Sequence, residues 1–108
     1  MEKSIITKMI SVEEYIKNIL KKKEWTLQRF ADEINQIKQK INIEGKTTRQ
    51  NISNFLNKVD NGHLLRPKQL LIWEKALGLK MGTLSNMVEQ PKTKTGIKEL
   101  EKLKEILK

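Results

Sequence analysis

The chain has no cysteine and only one histidine in 108 residues. The missing cysteine excludes a disulfide framework and any thiolate metal site. His63 alone leaves little material for histidine ligation or for Ser-His or Cys-His catalysis. Beside Gly62 it reads as a solvated loop residue. Acids are scarce: 13 Asp and Glu stand against 22 Lys and Arg, giving a net charge of +9 and a pI of about 9.8. That excess favours an anionic partner, nucleic acid first, a membrane surface or an acidic protein second. Aromatics are few, and the surface aromatic pairs used by single-strand RNA readers are not evident. No apolar run approaches membrane-spanning length, so no membrane partner is expected. The N-terminus has no signal-peptide apolar region or cleavage site, and the expected compartment is the cytoplasm. There is no Gly-rich phosphate loop, no metal-ligand spacing and no nucleophile beside a base. An enzyme, a cofactor, a metal and a small-molecule ligand are therefore not expected. Glu13, Glu14, Asp32 and Glu33 read as first-turn or solvated helix charges.

What is present is helical periodicity. Met1–Ile10 holds Ile5, Ile6, Met9 and Ile10, which suit a packed arm or an extra helical turn. Ser11 followed by Glu14 has the spacing of a capping box. Val12, Tyr15, Ile16, Ile19 and Leu20 then predict a helix over 12–23, ended by Lys21–Lys23. Thr26 caps a second helix whose inner face is Leu27, Phe30, Ala31 and Ile34. Its apolar period runs on through Ile37 and Ile41 until Gly45. Val59–Arg66 reads as a loop with an Asn61-Gly62 turn. Pro67 fits the first position of a fourth helix bearing Leu70, Leu71, Trp73, Ala76 and Leu77, with Gly78 as its stop. Gly82–Val88 predicts a short fifth helix with Leu84, Met87 and Val88 inward. Residues 90–96 read as a linker. Ile97, Leu100, Leu103 and Leu107 make the tail amphipathic, yet twelve residues are marginal as a lone helix. Trp25, Trp73, Tyr15 and Phe30 are expected in the core, and Met81 and Met87 as gap fillers. Almost nothing reads as sheet, so the expected class is all-α.

The richest segment is Thr47–Lys58. Thr48 caps it, and Ile52, Phe55 and Leu56 form a buried stripe at i, i+3, i+4. The other side carries Arg49, Gln50 and Asn54, with Lys58 beyond. Arg matches the O6/N7 edge of guanine; Gln and Asn match the N6/N7 edge of adenine. Solvated helices usually mix Glu with Lys, but this one has amides, hydroxyls and cations and no acid.

Taken in order, Trp25-Thr26-Leu27-Gln28-Arg29-Phe30-Ala31-Asp32-Glu33-Ile34, then Thr47–Lys58, then Arg66-Pro67 and Ala76-Leu77-Gly78-Leu79 resemble the lambda-repressor-like helix-turn-helix family of Cro/C1-type regulators. The resemblance covers about Val12–Val88, and Thr-Thr-Arg-Gln-Asn-Ile-Ser-Asn-Phe is close to recognition helices of lambdoid phage repressors. It implies a five-helix DNA-binding domain over 1–90, followed by a linker and C-terminal amphipathic helix over 91–108. It implies base reading by Arg49, Gln50, Asn51 and Asn54. It implies backbone contacts from Gln28, Arg29, Lys46, Thr48, Lys58, Arg66 and Lys68. Two features depart from the family. Leu27 stands where a phosphate-touching polar residue follows the Thr cap, which leaves that contact to Gln28 or Arg29. About ten extra residues, near Asn35–Thr47, also separate the two motif helices, where a helix-turn-helix uses a turn of 3–4. Either the second helix is extended or a loop is inserted, and Lys38, Lys40 and Lys46 there either meet phosphate or are simply solvated.

The expected function is sequence-specific binding of double-stranded DNA by a phage- or plasmid-type transcriptional regulator, with helix 48–58 in the major groove. The alternatives are an antitoxin-like or adaptor interaction module using the tail, and a plasmid maintenance or transfer accessory protein. A homodimer is expected on DNA, motivated by a tail stripe with no evident place on the core.

Overall fold

The computed structural model describes residues 11–57, 67–88 and 90–108. Expectations for Met1–Ile10, the 59–66 loop and its turn, His63, Lys58 and Arg66 lie outside those residues. Among the described residues the fold is all-α, with no strand: α1 (Val12–Lys23), α2 (Leu27–Lys40), α3 (Arg49–Leu56), α4 (Pro67–Ala76), a 3₁₀ turn (Ser85–Met87) and α5 (Lys94–Leu107).

The helix starts follow from local chemistry. Ser11, Thr26, Thr48 and Thr93 hold extended backbone, and each side chain accepts from the N–H three residues on. Each hydroxyl satisfies a donor that the first turn leaves free. Thr93 starts α5 at Lys94, so the expected linker is shorter than 90–96.

Three helix ends share one device. After α1, the Trp25 N–H reaches the Leu20 carbonyl and the Glu24 N–H reaches Lys21, with Glu24 left-handed at φ 57°. After α2, Ile43 reaches Lys38 and Asn42 reaches Gln39, with Asn42 also at φ 57°. After α4, Leu79 reaches Glu74 and Gly78 reaches Lys75, with Gly78 at φ 74°. This paired closure needs a left-handed residue just past the helix, and Gly78 takes it without a Cβ penalty.

The core is one cluster from all five helices. Ile16, Phe30, Ala31, Ile34, Ile52, Leu70 and Leu84 have no exposed surface. α4 is the central element: Leu70, Leu71, Ile72, Trp73, Glu74 and Ala76 are all buried, so it is covered on most sides. The Trp73 ring meets Phe30 of α2 edge-on at 5.3 Å and Phe55 of α3 at 5.5 Å. Trp73, Phe30 and half-buried Tyr15 are thus packed as expected.

Three further sequence expectations change. The Gly82–Val88 helix is a turn over 81–84 and then a 3₁₀ turn. The cause is Glu74, whose buried carboxylate accepts from the backbone N–H groups of Gly82, Leu84 and Ser85. Leu84 and Ser85 turn inward, whereas Met87 is exposed, and so is Met81; neither fills a gap. Trp25, like Tyr15, is half-buried and packed against the core, with Lys23 Nζ 5.1 Å and Arg29 Cζ 4.8 Å from its ring centroid.

The third change concerns the tail. Leu100, Leu103 and Leu107 are buried in the chain's own core, with α5 packed on α4, while Ile97 is left exposed. The stripe therefore has a place within the chain. Leu103→Ala is expected to cost about 2–5 kcal/mol by removing buried methyl groups and leaving a cavity. Urea unfolding checks this: a loss under about 0.5 kcal/mol would mean that α5 does not share the core.

Candidate nucleic-acid interface

α3 projects its polar face away from that core. Ile52 and Leu56 are buried and Phe55 is half-buried against Trp73. Arg49, Gln50 and Asn51 are exposed and Asn54 is half-buried. Gln50 Nε2 donates to Asn54 Oδ1 at 2.9 Å, one turn apart. The bond aligns the two amides and leaves Gln50 with its carbonyl oxygen and a second N–H. On the next turn, Asn57 Nδ2 donates to Ser53 Oγ at 3.2 Å.

Asn51 sits differently from the other amides. Its Oδ1 accepts from the Thr48 N–H at 3.0 Å while Thr48 Oγ1 accepts from the Asn51 N–H at 3.1 Å. This reciprocal capping box closes the first turn and turns the Asn51 oxygen back on the helix end.

The approach to α3 is fixed from α2. That helix continues to Lys40, so the extra residues are divided between an extended helix and a connection over 41–48. Ile37, Ile41 and Ile43 pack against the core and hold this stretch down. Asn35 Nδ2 donates to the Thr47 carbonyl at 2.8 Å, and the Thr47 N–H donates to Asn35 Oδ1 at 2.9 Å. Lys38 Nζ donates to Thr47 Oγ1 at 2.9 Å. Lys38 is thereby turned inward, and burial lowers its pKa from the ordinary lysine value. Lys40 and Lys46 are exposed.

Most of the expected backbone-contacting side chains carry intramolecular partners. Gln28 Nε2 donates to Asp32 at 2.9 Å, and Arg29 Nε pairs with Glu33 at 3.1 Å. Lys68 Nζ reaches Glu99 of α5 at 2.8 Å. The bond from Lys68, and then its charge, holds the Glu99 carboxyl below its ordinary value. That pairing is present at neutral pH and is lost as pH falls through the lowered Glu99 pKa. The pair is exposed, so salt screens it. Arg49 and Lys46 are exposed cations with no hydrogen bond or ion pair to another described residue.

Sequence reasoning missed Asn35 and Thr47 as neighbours, and Glu74 as an anchor. Asn35 gave a weak signal: an amide, a middling helix former, set between Ile34 and Ile37. Glu74 gave a better one, as an acid inside an apolar helix. Among the described residues no helix is long and apolar enough to cross a membrane. No family model, curated protein or solved structure matches the chain.

Proposed function

We propose that the chain is a sequence-specific double-stranded DNA-binding protein, a phage- or plasmid-type transcriptional regulator that reads the major groove with α3. The observation that carries the proposal is the outer face of that helix. Arg49, Gln50 and Asn54 stand on a short helix whose opposite side is locked into the core, with no acid between Gly45 and Val59. Gln50, steadied by Asn54, retains an acceptor and a donor, the pair that the N6/N7 edge of adenine requires. Arg49 offers the fork that fits guanine. The Lys and Arg excess supplies salt-dependent attraction to phosphates.

Within this proposal Lys46, next to the α3 approach, touches phosphate, as do Lys58 and Arg66. Lys68 joins them by exchanging Glu99 for a phosphate. The adaptor alternative relied on the tail as a binding element, and burial of its leucines takes that support away. The same burial removes the tail as the reason for a homodimer. A dimer stays in the proposal only because helix-turn-helix proteins commonly read two half-sites about one helical turn apart.

Arg49→Ala is expected to cost about 1–3 kcal/mol on the preferred duplex and to relax preference at one base pair. Lys46→Ala is expected to weaken binding to every duplex alike and to lower the log–log salt slope by about one unit. Titrations on the preferred and a scrambled duplex at several salt concentrations read both. Equal losses on both duplexes for Arg49→Ala remove it from base reading, and an unchanged slope removes Lys46 from the interface.

A further inference from the structure

We propose that Asn35, aided by Lys38, is the positioning clamp of the reading helix. It sets the placement of α3 across a connection too long to set it alone. The inference rests on the DNA-reading proposal and adds the residues that determine its specificity without touching DNA.

In a tight helix-turn-helix a turn of 3–4 residues fixes one helix on the other through the backbone. Here residues 41–48 separate α2 from α3, and each brings two soft torsions. Ile41 and Ile43 anchor the first part of this connection on the core, and the end next to the cap of α3 is held by side chains of α2. Both backbone groups of Thr47 are held by the single amide of Asn35, at 2.8 and 2.9 Å. One bond donated and one accepted by the same planar amide fix direction as well as distance. Lys38, one turn on, holds the Thr47 hydroxyl at 2.9 Å. Thr47 is buried at 8 % exposure, so water competes poorly for these groups.

The placement passes directly to the reading face. Thr47 precedes Thr48, the N-cap of α3, whose capping box with Asn51 closes the first turn. Arg49 and Gln50 lie in that turn. Base-edge hydrogen bonds demand about 0.5 Å accuracy, whereas attraction to phosphates tolerates displacement. Loss of the clamp should therefore lower specificity more than general affinity.

The test uses the full chain with Asn35→Ala, which removes both bonds, and Asn35→Asp, which keeps only the acceptor for the Thr47 N–H. Binding is measured on the preferred duplex and on a scrambled duplex of equal length. Asn35→Ala is expected to lower the ratio of the two affinities at least tenfold, with scrambled-duplex affinity changed less than about threefold. Asn35→Asp should fall between the variant and the parent, and carries the test should Asn35→Ala not fold. Folding is checked by helical circular dichroism. Amide exchange of Thr47 by NMR, free of DNA, is expected to quicken at least tenfold in Asn35→Ala. A folded variant with an unchanged affinity ratio overturns the positioning role, and unchanged Thr47 exchange overturns the clamp itself. If the parent chain shows no duplex preference, the DNA-reading proposal fails and the positioning role falls with it; the exchange result then reports separately whether the clamp holds Thr47.

Discussion

Replacing Glu74 with alanine is expected to cost about 3–5 kcal/mol. Glu74 is 1 % exposed, and its carboxylate accepts from three backbone N–H groups: Gly82, Leu84 and Ser85. Hydrogen bonds to an ionised acceptor are each stronger than neutral ones. The alanine variant also leaves buried donors with no partner, and each such donor costs about 1–3 kcal/mol. Glu74→Gln keeps one accepting oxygen but turns an NH₂ towards the remaining donors, so it should recover only part of the loss. Urea unfolding of both variants measures this. Equal stability of parent and Glu74→Ala would show that the carboxylate does not organise the 82–85 turn.

Trp73→Ala is expected to cost about 3–5 kcal/mol and to loosen α3 in particular. The Trp73 ring lies edge-on to both Phe30 and Phe55, so one side chain joins α2, α3 and α4. Such pairs add about 0.5–1.5 kcal/mol each beyond the area they bury. Trp73→Phe keeps an aromatic but leaves a gap, and should lose about half as much. Chemical denaturation gives the magnitude, and amide exchange locates it. If α3 amides exchange no faster than those of α5 in Trp73→Phe, the ring does not seat α3.

The parts of this fold that were legible in the sequence are local ones. A capping hydroxyl acts three residues away, so Ser11, Thr26 and Thr48 mark helix starts on their own. An apolar stripe repeats every three or four residues, which placed α1 at 12–23 and put Ile52 and Leu56 inward. Gly78 past α4 is readable because glycine takes a left-handed end without a Cβ penalty, whereas Glu24 and Asn42 take the same kind of end with no such signal. The parts that were not legible join residues far apart in the chain. Asn35 and Thr47 are twelve residues apart, and Lys68 and Glu99 thirty-one. Glu74 overrode a plausible helical pattern at 82–88 because a buried carboxylate must take its donors from whichever backbone lies nearest. The same physics bears on the site. Arg49, Gln50 and Asn54 could be named as an outward face, since helix geometry alone decides that. Asn51 could not be separated from them, because whether an amide points outward or caps its own helix is decided by one side-chain rotamer. Gln28 and Arg29 each pair with an acid one turn on, Asp32 and Glu33, a local spacing whose pairing depends on side-chain rotamers.

The central claim, that α3 reads base edges, is tested most directly by selecting bound sequences from a random duplex pool, at low and moderate salt, with the parent chain and with Gln50→Ala. The expected result is one enriched motif that persists at the higher salt, with adenine preference lost in Gln50→Ala. Recovery of unenriched pools at both salt concentrations, or the same motif from both proteins, would contradict it.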